Sequence, residues 1–477
     1  MVDGRPSYAD QIYVDQRCMN SNQRLRTFLD NLRSSLWFRP ALGALFGAAL
    51  AAVLSELDRN RGFSSLPLLQ IGVEGSHAVL GAIATGMLTI LGLVFSILMV
   101  ALVLASQQFS PRILRNFIRD RVAQNVLAVF IGVFVYALLL LARINQTEGG
   151  IDSPVLSVTV AILVTLIAIG YFIHFIDHIT KTIRANYIVD DIDRQVMQLL
   201  RKQPGGSAEI LHDEAVVNAL RGEQVKIIPA PAVGYLQSVD HETLVQVAQK
   251  YDVIIRVEPM IGDFVAKGRP LFSVGSTAEE VDHEQLADLT KELSETIEIG
   301  VERTMLDDIL FGVRQLVDIA LRAVSPGIND PTTAINCIDH LSNVLSQAAR
   351  QGEGDSYFQD SEGQIRLLLR PPAFADMLDL AFNQLRHYTR DDAVLTKRLL
   401  AALIEIAQAT KVVQRHALIW QHASMISRSV DPHIHEPLER QAINERLRTL
   451  AAHVGQQPHQ VLLAVDETLL APQRNHD

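Results

Sequence analysis

Only two of the 477 residues are cysteine, Cys18 and Cys337, and they stand far apart. That spacing excludes a disulfide framework and a CxxC metal knuckle. The chain also lacks a P-loop, a GxSxG elbow, an HExxH pair and a GxGxxG after a strand. The familiar signatures of phosphate-loop, hydrolase, zincin and dinucleotide chemistry are therefore missing. Positive charge is in short supply, with 42 Lys and Arg against 53 Asp and Glu and a net charge of -11. A nucleic-acid binder needs a basic face, so no such partner is expected. No catalytic residue, metal or cofactor is predicted, and the chain reads as a non-enzyme.

What it has instead is apolar sequence. Hydrophobic residues make up 48% of the chain, and their excess is gathered near the N-terminus. Four runs reach the roughly 20 residues needed to cross lipid, where an open backbone cannot be satisfied. They cover about residues 36–54, 78–106, 125–142 and 154–176. A long polar leader before the first run argues against a signal peptide. Arg5, Arg17, Arg24, Arg26, Arg33 and Arg39 precede the first run, and Arg112, Arg115, Arg119 and Arg121 separate the second from the third. Lys181, Arg184 and Arg194 follow the fourth. The other two loops hold Arg59, Arg61 and Arg143, offset by Glu56, Asp58, Glu74, Glu148 and Asp152. The positive-inside rule then places both termini in the cytoplasm.

Within the spans, Gly43, Gly47 and Ala51 form a small-xxx-small ridge suited to close helix approach. In the second run Thr85, Thr89, Gly92 and Ser96 share one helical face. That stripe either lines a water-filled path or packs tightly against a helix with its hydroxyls bonded to their own backbone. The fourth run ends in FIHFIDHITK, which puts His174, Asp177 and His178 on one face at the membrane boundary. Ionisable groups there are read as either ion-linked or structural.

The period changes after RKQPGGSAEI and one helical segment. VKIIPAPAVGYLQSV and YDVIIRVEPMIGDFVAKGRPLFSV read as short strands punctuated by Gly and Pro. DHETLVQVAQK between them reads as a helix capped by Asp240. GDFVAKGRPLFSV resembles the hairpin of lipoyl/biotinyl-like barrel-sandwich modules, without the modified lysine, which implies a structural or docking element over residues 205–280. From 281 to 477 the pattern is helical. Leu306, Ile309, Leu310, Val313, Leu316, Val317 and Ala320 form one apolar face, and Arg314, Asp318 and Arg322 form a charged one. The fold class expected is a mainly α membrane protein: a membrane domain over 1–190 with four transmembrane helices, a small β-rich barrel-sandwich-like module, and an α-helical cytoplasmic domain.

AVSPGINDPTTAINCIDHL, Ala323 to Leu341, is the least generic stretch. Ser325 before Pro326 should stop a helix, Gly327 can take a positive φ, and Asp330 should cap the next helix with Pro331 at its first position. Asn329, Asp330, Thr332 and Thr333 are candidates for an anion or subunit contact, since a helix start presents free N–H groups. A metal held by His340 with an acidic partner lacks a second His or Cys at ligand spacing. A Cys337 nucleophile paired with His340 lacks an orienting group.

VERTMLDDILFGVRQLVDIALRAVSPGINDPTTAINCIDHL resembles the core signature of the family known as domain of unknown function 2254, predicted bacterial membrane proteins. LGLVFSILMVALVLASQQFSPRILRNFIRDR, GYFIHFIDHI and PPAFADMLDLAFNQLRHY are similar to further motifs of that family in the same order. The resemblance implies a multi-pass protein of the bacterial inner membrane and supplies no catalytic residues. Two functions follow as expectations. One is a homo-oligomeric channel or transporter-like protein lined by the Thr85–Ser96 stripe, with an ion as cargo. The other is a membrane-anchored scaffold or sensor whose cytoplasmic domain binds a partner or a small anionic ligand.

Overall fold

The computed structural model describes residues 37–61, 72–108, 120–144, 155–182, 184–202, 225–276, 283–352 and 356–465. Cys18, the arginines before Arg39, Arg112, Arg115, Arg119, Glu148, Asp152 and the helical segment expected after RKQPGG lie outside them, as does everything beyond residue 465. The chain divides into two compact units with the boundary between Tyr187 and Ile188.

The first unit holds four helices long and apolar enough to cross a membrane. These are α1 (Phe38–Arg61), α2 (Val73–Gln108), α3 (Arg121–Ile144) and α4 (Val155–Thr182). α2 and α3 contain their expected runs, whereas α1 and α4 begin two residues and one residue after the start of theirs; all four extend past the end of the run. Glu56, Asp58 and Arg59 consequently sit on the last turns of α1, Glu74 on the first turn of α2 and Arg143 on the last turn of α3. These charges were read as loop residues, and they belong to helices. α3 packs against the other three helices and buries Phe130, Val133, Tyr136, Ala137 and Leu140. Outward-facing positions are large and apolar, among them Leu45, Phe46, Leu88, Phe95 and Leu166, as a lipid-facing surface requires.

The second unit begins on α5 (Ala185–Lys202), which crosses the boundary, and continues into strands and helices. Here β1 is Lys226–Pro229, β2 Gly234–Val239, α6 His241–Lys250, β3 Val253–Val257, β4 Phe264–Val265, β5 Pro270–Ser276, α7 His283–Ser294 and β6 Ile297–Gly300. Asp240 caps α6 as expected, accepting from Thr243 N at 3.1 Å. Two further strands, β7 (Ser356–Gln359) and β8 (Ile365–Leu369), come from far downstream.

The barrel-sandwich expectation is corrected by the strand order. There is an open five-stranded sheet, β1-β5-β3-β8-β7, and a separate three-stranded sheet, β4-β2-β6, with no closed barrel among the described residues. β3 and β8 are parallel and the other pairs antiparallel. Closure is unnecessary because helices supply the missing cover: Leu244, Val247 and Ala248 of α6 and Leu289 and Leu293 of α7 share one core with the strands. Leu367 of β8 joins that core, so strands β6, β7 and β8 correct the purely helical reading of 281–477. Gly268 makes the turn before β5 at φ +83, a left-handed conformation that glycine adopts freely.

The remaining helices are α8 (Ile309–Ala323), α9 (Pro331–Ala348), α10 (Phe374–Tyr388), α11 (Ala393–Gln408), α12 (Val413–Val430) and α13 (Pro437–Val454), followed by a 3₁₀ turn. α8 starts later than the apolar periodicity suggests. Asp308 caps it, accepting from Phe311 N at 2.9 Å, so Leu306 falls before the helix and is exposed. Val313, Leu316, Val317 and Ala320 are buried as read, and Arg314 pairs with Asp318 at 2.8 Å.

Candidate functional site

In the membrane-type unit the small-residue ridge does close-packing work. A Cβ on Gly43 would lie 2.1 Å from the Ala128 carbonyl oxygen, and one on Gly47 would lie 2.1 Å from that of Gly132. α1 and α3 thus meet backbone to backbone, which only small residues permit. Beside this seam an apolar cavity of about 430 Å³ opens between Phe46, Leu50, Val129 and Val164.

Polar groups cluster at the two ends of the bundle. At one end Asp58 of α1 is buried and caps α4, accepting from Leu156 N at 3.2 Å, Ser157 N at 2.9 Å and Ser157 Oγ at 2.5 Å. Tyr136 donates to the Ser157 carbonyl at 2.8 Å, and Arg143 donates to Ser55 Oγ. A buried carboxylate is tolerated here because helix N–H groups and a hydroxyl satisfy it. At the other end Asp120 caps α3 through Val122 N at 2.7 Å and meets His178 Nε2 at 2.6 Å. The network at Asp58 went unread in the sequence, where Asp58 counted only as a loop charge.

The boundary trio divides. His178 turns to Asp120, whereas Asp177 turns outward to Lys181 at 2.7 Å. His174 is exposed, its ring centroid 6.4 Å from that of His178. The three therefore do not converge on one point. The polar stripe of α2 behaves differently again. Thr85, Thr89, Gly92 and Ser96 are all exposed, off the buried line of Leu80, Ala84, Met87, Val94 and Ala101. Thr89 Oγ1 donates to the Thr85 carbonyl at 2.9 Å, and a Cβ on Gly92 would touch nothing within 4 Å. Among the described residues, no neighbouring helix covers this face.

In the second unit the SPGINDP loop resolves into turn chemistry. α8 ends at Ala323, and Ile328 N and Asn329 N both donate to the Ser325 carbonyl, at 3.0 and 2.9 Å. Asp330 N reaches back to the Ala323 carbonyl at 2.8 Å. The left-handed residue is Asn329, at φ 51, and Gly327 is not among the positive-φ glycines. Asparagine tolerates that region better than other residues with a Cβ, which gives Asn329 a conformational role. Asp330 Oδ1 accepts from Thr333 N at 3.0 Å, and Thr333 Oγ1 donates to Oδ2 at 2.5 Å. The Thr333 hydroxyl and backbone N–H groups hold the Asp330 carboxyl below its usual range. An anion at this helix start would meet that carboxylate in place of free donors. Asn329 and Thr332 are exposed.

Farther along α9, Cys337 is fully buried, and burial pushes its thiol far up, away from the reactive thiolate. His340 Nδ1 lies 3.3 Å from Asp193 Oδ2 on α5, and Asn343 Nδ2 lies 3.1 Å from both Asp193 oxygens. The hydrogen bond to Asp193 raises the His340 pKa. No group of three or more metal-ligating side chains occurs among the described residues.

Four long apolar helices with small-residue packing, joined in sequence to a second unit of sheet and helices, define a membrane-type protein. The chain belongs to the family described as predicted membrane protein, domain of unknown function 2254, whose profile matches residues 33–405. It is 30% identical over 411 residues to uncharacterised proteins of Mycobacterium tuberculosis and Mycobacterium bovis, covering 85% of this chain and 78% of each relative. No solved structure matches.

Proposed function

We propose that this membrane protein is a homo-oligomeric channel or transporter-like protein in which several copies gather around the exposed stripe of α2. The observation that carries the reading is the exposure of Thr85, Thr89, Gly92 and Ser96 on a membrane-length helix. The other three helices pack around α3 and bury Phe130, Val133, Tyr136 and Leu140, so a pore calls for several copies. Small and hydroxylated residues facing outward favour a second helix or a water-filled axis over lipid tails. α2 has 36 residues and so spans about 54 Å, well beyond a hydrocarbon core of about 30 Å. Its surplus length suits a neck that leads from the pore into the aqueous phase. The arginine distribution supports an inner-membrane orientation with both termini cytoplasmic.

The test measures subunit number in detergent together with ion flux in proteoliposomes. A multimer whose flux falls at least tenfold in Ser96→Leu supports the reading. A monomer without flux overturns it.

A further inference from the structure

The second unit contains a cleft that the channel reading does not use. It lies where the carboxyl ends of the parallel strands β3 and β8 meet, since Val257 and Leu369 are register partners and both line it. In sheets with helical crossovers, the crevice outside the carboxyl ends of parallel strands is a recurrent ligand position. The cavity measures about 210 Å³, somewhat more than the roughly 150 Å³ of an apolar cavity that holds benzene.

Its chemistry is two-sided. The floor is apolar, formed by Val239, Val257, Ile261, Ile309 and Leu369, with the stacked rings of His241 and Phe358, 4.8 Å apart, on one wall. Lys202 at the end of α5 and Arg370 just after β8 stand on the rim, both exposed. Neither forms an ion pair with a described residue. Two carboxylates also border the cleft. Asp308 is already committed, bound by Arg303 Nε at 2.7 Å and Nη2 at 2.8 Å and by Phe311 N. Gly262, at φ +94, is what admits that pair: a Cβ there would lie 2.2 Å from Asp308 Oδ2. Asp307 has no ion pair of that kind. Desolvation pushes its carboxyl above the usual range, and His241, Lys202 and a backbone hydrogen bond at Val239 pull it only partly back. The rim thus offers two cations that form no ion pair among the described residues, with the Asp307 carboxyl nearby, over a ring-sized apolar floor.

We infer that this cleft binds a small organic carboxylate with an aromatic or similarly compact apolar body, its carboxylate held by Lys202 and Arg370. The apolar floor excludes a bare oxyanion as the preferred ligand, because filling it is where most of the binding free energy arises. Asp307 disfavours a second negative charge, which selects monoanions.

Titration calorimetry of the full chain in detergent micelles, with benzoate as probe, tests this. Benzyl alcohol and inorganic phosphate test the carboxylate and the apolar body separately. Saturable benzoate binding, at least tenfold tighter than either comparison probe, is expected. Arg370→Gln and Lys202→Gln should each weaken it at least tenfold while unfolding at the wild-type temperature, because both side chains are exposed. Asp307→Asn should tighten it. Absence of saturable benzoate binding by the folded wild type overturns the inference. So does equal binding of phosphate, or benzoate affinity unchanged in both cation variants. Flux and oligomer number are not read in this experiment, so its failure is separate from failure of the channel reading.

Discussion

In the membrane-type unit the closest helix contact is made by backbones, with Gly43 and Gly47 of α1 against Ala128 and Gly132 of α3. In the second unit helices meet through side chains: Leu399, Leu403 and Ile406 of α11 are fully buried, and α11 packs on α9 and α13. The solvent explains the difference. In water, burying Leu and Ile removes apolar surface from a costly environment. In lipid that gain is absent, so Leu45, Phe46 and Leu166 face outward and helices associate by approach distance and by satisfied polar groups. Both units bury polar groups as well: the membrane-type unit holds Asp58, Gln124 and Ser157, and the second unit holds ion pairs such as Arg366 with Asp360 and Arg303 with Asp308.

The comparison is broken most directly at Gly47. Gly47→Ala puts a methyl group 2.1 Å from a backbone oxygen that cannot move without its helix. The expected loss is about 3 kcal/mol, at the upper end for overpacking. Gly170→Ala on α4, with open space around it, should be neutral or slightly stabilising, since alanine is the better helix former. Equal unfolding temperatures for the two variants in detergent would remove the backbone-contact argument.

A smaller effect is expected where the second unit relies on a cap. Asp330→Ala removes the acceptor for Thr333 N and should cost about 1 kcal/mol, the usual worth of an N-cap. Because the folded carboxyl is held low, its contribution is present above the unfolded pKa of about 3.9 and is lost as pH falls through the folded value. Denaturant unfolding of wild type and variant should converge in acid. Curves that stay parallel down to pH 2 would count against the cap.

The smallest effect is at His340. Its pKa is raised by Asp193, so its contribution is complete below the unfolded value of about 6.5 and is lost as pH rises through the folded one. Wild-type stability should decline as pH rises above about 6.5, and His340→Gln should flatten that decline. Identical slopes would show that the pair does not change strength on folding.

Much of this was legible without a structure. The four spans, the Gly43–Gly47 ridge and the caps at Asp240 and Asp330 follow from length, spacing and residue type, because each depends on neighbours in sequence. The positive φ at Asn329 was assigned to Gly327, because sequence shows which residues tolerate a left-handed turn without showing where the turn places it. Leu306 was misplaced since a helical period runs on past a cap that only geometry reveals.

Apolar length and helical period alone determined that the first part of this chain is membrane-type, and glycine spacing determined where its helices can touch. The tertiary structure decided what is non-local. It brought β8 from residue 365 to lie beside β3, paired Asp58 with Ser157 and Asp120 with His178, left the α2 stripe uncovered, and assembled the cleft from Lys202, His241, Asp307 and Arg370. The physical reason is range: periodicity and capping act within a few residues, whereas packing and charge pairing join residues that only the folded chain makes neighbours.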